Sequence, residues 1–146
     1  MIEVIDKDNL AEVLPLIREY LVFYAVKDID DSRTAEFFSQ FGPESDKGCQ
    51  FGYRMDGRLV AFATVYFTYA TSILSKVAVM NDLYTLEEYR HRGIATALIK
   101  HCAAYAIEQQ AVRLQWLTAN DNLTAQSVYS ALNAEHSKWV FYTYTP

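Results

Sequence analysis

Apolar and acidic residues alternate over residues 2–5, which predicts a short strand. From Asn9 the apolar spacing becomes helical, with Leu10, Val13, Leu14, Ile17 and Leu21 on one face. Pro15 falls inside this run and predicts a kink, or a helix confined to the residues after it. Residues 28–31 break the pattern. Ser32 reads as the N-cap of a second short helix carrying Phe37 and Phe38, closed by Gly42-Pro43 and a polar loop over 44–48. Residues 50–55 and 58–69 are strand-like and flank Asp56-Gly57, a two-residue hairpin signal. Residues 75–85 predict a third strand, antiparallel to the second across a turn at 70–74. Residues 93–110 return to helical spacing, with Ile94, Leu98, Cys102 and Tyr105 on one face. A buried-type strand over 112–117, a helix over 124–132 and a final aromatic strand over 138–144 complete the chain. This order predicts an α/β fold with a mixed sheet, and residues 1–146 read as one domain because no linker composition interrupts them.

Composition narrows the function. Thirteen basic against eighteen acidic residues leave a formal charge of −5, which argues against a nucleic-acid binder. The charge is uneven: residues 1–48 hold eleven acids and five bases, the rest eight bases and seven acids. An acidic first third reads as solvated helix faces or as a rim that attracts a cation. Cys49 and Cys102, with His91, His101 and His136, show no metal-ligand spacing, so no metal is expected and both cysteines read as small reduced core residues. No Gly-x-Ser-x-Gly elbow and no Gly-Lys-Ser/Thr phosphate loop is present. The longest apolar run, 60–70, is too short for a membrane span, and nothing at the start resembles a secretory signal, so a cytoplasmic location is expected.

Two segments carry chemistry. The first runs Asp82-Leu83-Tyr84-Thr85 through a short loop into Arg90-His91-Arg92-Gly93-Ile94-Ala95-Thr96, a strand leading to a helix start. First-turn N–H groups lack internal acceptors and lie at the positive end of the helix dipole. Small Gly93 and Ala95 let a ligand approach the backbone, and Arg90 and Arg92 add charge, so the segment suits a pyrophosphate; two surface arginines at an ordinary helix start is the competing reading. The second segment places Asn122 and Tyr129 seven residues apart, two turns along a helix and on one side of it.

With both segments in view, the chain resembles the GNAT N-acetyltransferase superfamily, nearest its small-amine, diamine acetyltransferase-like branch. The family's pyrophosphate loop, Gln/Arg-x-x-Gly-x-Gly/Ala, stands here as Arg90-His91-Arg92-Gly93-Ile94-Ala95. The resemblance implies a mostly antiparallel mixed sheet, splayed at the cofactor site and flanked by helices. It implies acetyl-CoA as co-substrate, with Leu83, Tyr84 and Thr85 along the pantetheine arm and His91 to Thr96 on the pyrophosphate. Asn122 would contact the cofactor and Tyr129 would sit beside its sulfur. A small-molecule amine is the implied acceptor, and a homodimer is compatible with the family. Two positions depart from the pattern: Asn133 replaces the Gly that usually follows the late helix, and Asn81 replaces a carboxylate often found in diamine-type members. A non-catalytic acyl-CoA sensor and an enzyme acting on a protein amine are the alternatives.

Acetyl transfer requires an amine to lose a proton, a donor for the tetrahedral oxyanion and a proton for the leaving thiolate. Asp82 is the nearest carboxylate on the strand and the candidate base; Glu88 precedes the loop. Tyr129 carries a phenol for the sulfur. A phenol near pKa 10 and a thiol near 8.5 make full transfer uphill by roughly 2 kcal/mol in water, which favours a hydrogen bond that strengthens as charge develops. Tyr20 and Tyr24 can line the acceptor pocket or simply pack. The expected structural signature is a sheet that opens between Leu83 and Leu117, with Tyr84 and Trp116 near the opening.

Overall fold

The computed structural model describes residues 1–146. Along the chain come β1 (Ile2–Ile5), α1 (Leu10–Phe23), α2 (Asp31–Phe38), β2 (Gly48–Met55), β3 (Arg58–Ala70), β4 (Ser75–Thr85), α3 (Ile94–Glu108), β5 (Leu114–Gln115) and α4 (Leu123–Ala131). The strands form one open sheet in the order β1-β2-β3-β4-β5. Every pairing is antiparallel except β4 with β5. This is the mixed, mostly antiparallel sheet the sequence predicts.

Helices cover both faces. Phe62 on β3 meets Tyr20 of α1 at 5.8 Å between ring centroids, whereas Phe51 on β2 meets Tyr105 of α3 at 5.1 Å. Strand side chains alternate between these two layers. Val13, Leu16 and Ile17 of α1 and Leu98, Ile99 and Cys102 of α3 are buried against the sheet in one continuous core. Cys49 is buried as well, and neither cysteine is in a disulfide. Arg54 ties β2 to β1 and α1, donating twice to Glu3 at 2.8 and 2.9 Å and once to Glu12 at 2.8 Å.

One irregularity shapes β4. Its pairing with β3 runs Thr64↔Asp82 and then Val65↔Met80, so Asn81 is the extra residue of a β-bulge. A bulge advances the alternation by one. Lys76 and Ala78 therefore turn their backbone groups towards β5, where Val112 N donates to Lys76 O and Ala78 N to Arg113 O, both at 3.0 Å. Past the bulge the even residues bond to β3, as Leu86 N does to Val60 O at 2.9 Å. Leu83 and Thr85 are left on the outward edge.

The structure corrects four expectations about elements. Pro15 does not confine α1 to the residues after it, since the helix already begins at Leu10; the ring removes only the bond its N–H would make to the Ala11 carbonyl, and the buried face holds the helix. The N-cap of α2 is Asp30, whose extended backbone lets its carboxylate accept from Arg33 N at 2.8 Å, while Ser32 lies in the first turn. The strand expected over 112–117 shrinks to Leu114–Gln115, because β4 bends at Asn81 beyond the last paired residue, Val79. Residues 138–144 form no strand: their large side chains are exposed and they find no edge to pair with.

Candidate active site

The cleft is built where β4 and β5 part. They are paired only at Ala78↔Leu114 and Val79↔Gln115, and no ladder contact joins Leu83 to Leu117. The expected opening is present, with the Leu83–Thr85 edge on one lip and Trp116 on the other. Of the outward groups, the Thr85 carbonyl accepts from Arg90 Nε at 3.0 Å, which leaves Leu83 the freer of the two.

Beyond β4 a single 3-10 turn, Glu87–Tyr89, leads into the loop before α3. His91 (φ 61°) and Gly93 (φ 77°) both take the left-handed conformation, which folds the chain back over the start of the helix. Throughout the run His91-Arg92-Gly93-Ile94-Ala95-Thr96 no backbone N–H donates to any protein acceptor, and the first bond of the helix is Ala97 N to Gly93 O at 3.0 Å. A Cβ built on Gly93 would meet nothing within 4 Å. Glycine is thus needed for its dihedral and not for protein clearance, and the space above it lies open. Such a row of free donors at a helix N-terminus can hold a phosphate.

The two arginines do not reach freely into that space. Arg92 donates to Glu88 O at 3.1 Å and lies over the Tyr89 ring at 5.0 Å; Arg90 holds Thr85 and lies over Tyr84 at 5.7 Å. Both brace the loop while adding positive charge beside it.

On the α1 face, Asp82 is 5% exposed and its Oδ1 has no hydrogen-bond partner. Burial pushes its carboxyl up to about 7, with the Thr64 side chain and backbone pulling the other way. A carboxyl so placed can take up a proton near neutrality. Tyr84 follows on the same face, its hydroxyl 3.2 Å from Glu19 Oε2 of α1. Tyr20 stacks against Tyr24, Phe62 and Tyr84 at 4.9, 5.8 and 6.2 Å, and burial, then the nearby Asp82 charge, raises its phenol well above the ordinary value.

Across the opening, Asn122 is the N-cap of α4 and its Oδ1 accepts from Ala125 N at 3.2 Å, so its amide NH₂ is the group left to meet a ligand. Tyr129 is half-buried and packs edge-on against Trp116 at 5.2 Å. Its phenol is raised, by burial first and then by Tyr24, while Thr118 lowers it. It therefore stays protonated and suited to donating a hydrogen bond.

The GNAT acetyltransferase family model matches residues 14–133. The chain belongs to the GNAT acetyltransferase family. An uncharacterized N-acetyltransferase of Bacillus subtilis, YhfO, is 25% identical over 121 residues, covering 83% of this chain and 80% of that protein. The aminoglycoside N(6')-acetyltransferase type 1 of Serratia marcescens is 36% identical over 95 residues, covering 62% and 65%. Among solved structures, an aminoglycoside N-acetyltransferase in complex with CoA superposes with a TM-score of 0.83 at 20% identity, covering 99% of this chain and 93% of that one.

In this acetyltransferase the Leu83–Thr85 edge forms one lip of the opening, and Trp116 with Tyr129 packed on it forms the other. Glu19 is not among the residues singled out by sequence. It lies with Tyr20, Phe23 and Tyr24 on one helical stripe of α1, and only the packing of α1 over Tyr84 distinguishes that stripe from a solvated face. The sequence alone points to Tyr20 and Tyr24 without choosing between pocket and core. Asn81 is exposed at the bulge, and the unpartnered carboxylate is the next residue, Asp82. No cluster of residues able to hold a metal ion is present, and no helix is long and apolar enough to cross a membrane.

Proposed function

We propose that residues 1–146 act as one enzyme unit that transfers an acetyl group from acetyl-CoA to a primary amine of a small cationic molecule. The observation that carries this reading is the free N–H run His91–Thr96 lying directly after the free strand edge at Leu83. A ligand with a diphosphate at one end and an amide-bearing arm at the other matches both. His91, Arg92, Gly93, Ile94, Ala95 and Thr96 hold the pyrophosphate through their N–H groups, with Arg90 and Arg92 supplying charge. Leu83, Tyr84 and Thr85 run along the arm, and the Asn122 amide meets it from α4. Acetyl-CoA supplies an activated acyl group as its thioester. The complex with CoA of the aminoglycoside acetyltransferase of the same fold supports the assignment.

The protein's own groups then divide the proton work. Asp82, its carboxyl pushed up to about 7, accepts the proton of the incoming ammonium through water, and the freed amine attacks the thioester carbonyl. A backbone N–H on the unpaired β4 edge faces the oxyanion. Tyr129 donates to the sulfur as its charge grows. Glu19 and the tyrosines of α1 receive the acceptor: a shallow cleft of about 470 Å³ is lined by Arg18, Glu19, Val22, Phe23 and Tyr84. Arg18 is engaged by Asp31 at 2.6 Å, so Glu19 presents the anionic group to a second ammonium. The name of the Serratia marcescens relative supports a polyamine-like acceptor.

The test is thiol release from acetyl-CoA with a panel of monoamines, diamines, aminoglycosides and a peptide amine. Turnover with the small polycations is expected. A thermal shift by CoA without turnover on any amine would instead identify a sensor, and turnover confined to the peptide would overturn the small-molecule acceptor.

A further inference from the structure

The buried residues of the chain include only three with polar side chains, Gln50, Thr64 and Asp82. All three fall in one row across the sheet. The ladder pairs Gln50 of β2 with Thr64 of β3, and Thr64 with Asp82 of β4. Directly opposed residues share a face, and this is the α1 face that also carries Phe62. Ile5 of β1, opposite Gln50 and buried, closes the apolar end of the row. The other end is the carboxyl at the cleft.

The row has a direction. Gln50 Nε2 donates to Thr64 Oγ1 at 3.3 Å. A hydroxyl that accepts from behind has one proton to give, and an ionised carboxylate offers only lone pairs. The carboxylate opposite is Asp82, whose Oδ1 is unpartnered and whose proton affinity the Thr64 side chain draws back down against burial. Turned round, with Oε1 towards Thr64, the amide would take the hydroxyl proton for itself and set oxygen against oxygen at Asp82. A leucine at position 50 would leave the hydroxyl free to turn. Gln50 is fully buried with its own Oε1 unpartnered, so packing alone does not account for an amide at this position.

We infer that Gln50 and Thr64 are positioning residues for Asp82: the amide fixes the hydroxyl, and the hydroxyl donates to the carboxylate and stabilises its ionised form. The catalytic consequence rests on the reading of Asp82 as the base; the row itself does not. The surroundings leave this duty to Thr64. Tyr20 of α1, and Cys102 of α3 through the sheet, are the titratable groups that feel the Asp82 charge. Burial raises both well above their ordinary values, so each is neutral where Asp82 titrates. Tyr84 follows on β4 with its hydroxyl at Glu19, and β2 and β3 present only Gln50 and Thr64 in the row. A hydrogen bond to the charged form is then what opposes desolvation.

Two titrations on the full chain test it: NMR of the Asp82 side-chain carboxyl carbon, identified by its loss in Asp82→Asn, and the pH dependence of kcat/KM. Thr64→Val keeps the shape and removes the donor, so both midpoints should climb by about one pH unit or more, and Thr64→Ser should restore them. Gln50→Leu should move them the same way by less, and should add nothing once Thr64 is replaced by valine. Gln50→Leu also stands alone as a test where Thr64→Val folds poorly. An Asp82 signal that titrates alike in wild type and Thr64→Val, a shift that serine does not reverse, a Gln50→Leu midpoint equal to that of the wild type, or a Gln50→Leu effect indifferent to the Thr64 hydroxyl would each overturn the relay. The carboxyl titration needs no turnover. It decides this inference even where Asp82→Asn leaves the rate profile unaltered and the base reading falls.

Discussion

Tyr129 and Asp82 differ in how their protons are held, and that difference sets what each substitution does. A phenol raised by burial and packed on Trp116 remains a donor at every pH of interest. Tyr129→Phe keeps the ring, so turnover should fall roughly 10²–10⁴-fold while calorimetric CoA affinity is nearly unchanged. Equal losses in both would make the tyrosine a binding group. Asp82 must be ionised to accept a proton, so kcat/KM should rise with pH through about 7 and Asp82→Asn should abolish that rise. Its stability signature has the opposite slope. The folded state holds the proton more tightly than the unfolded chain, so this carboxyl's contribution is complete below the ordinary carboxylate range. It is lost as pH climbs to about 7 and is level above that. Denaturant titrations of the wild type should decline across that window, and those of Asp82→Asn should be flatter. A rate midpoint that coincides with the upper end of the stability decline, at about 7, would tie both effects to a single group.

At the scale of elements, the loop before α3 depends on two left-handed residues in close succession, His91 and Gly93. Gly93→Val forces a β-branched residue into φ 77°, a cost of about 1–2 kcal/mol, and places methyl groups in the open space above the free N–H run. The thermal shift by CoA should vanish; a shift that survives would remove the phosphate assignment. Arg92→Ala should weaken CoA more than pantetheine fragments lacking the pyrophosphate, and part of the loss should come from a looser loop, since Arg92 holds the Glu88 carbonyl. These elements differ in how legible they are in the sequence. The buried stripe of α3, the Asp56-Gly57 hairpin and the helix start at Gly93 rest on short-range spacing and backbone preference, which a single sequence displays directly. The bulge at Asn81 does not, because it exists only as a mismatch between β3 and β4 that neither strand carries alone. Residues 138–144 have every local mark of a strand, but a strand also requires an edge, and that is a property of the surroundings. Glu19 is silent in the sequence for a related reason: a glutamate on a helix gains a role only from the tyrosine that the sheet brings opposite it.

Across the whole molecule, the one acid of residues 1–48 that lines the proposed acceptor cleft is Glu19 of α1. For a polycationic amine, raising ionic strength from about 20 to 200 mM should increase KM several-fold with little change in kcat, and Glu19→Gln should reduce that salt dependence. An unaltered dependence would assign the acidity to solubility alone. The bulge, finally, works at this scale as a parity switch. Before Asn81 the outward groups of β4 hold the sheet together; after it, the same strand offers a new set of outward groups to a ligand and turns Asp82 towards α1. Both duties hang on Asn81 being the residue the ladder skips. Its removal would leave Met80↔Val65 and Asp82↔Thr64 as consecutive pairs, with the carboxylate still facing α1 and Leu83 still on the outward edge. Removing a paired neighbour as well would send the carboxylate to the α3 layer and the Leu83 side chain to the α1 layer. Relatives that form this strand without a bulge should therefore be one residue shorter between the positions of Met80 and Asp82.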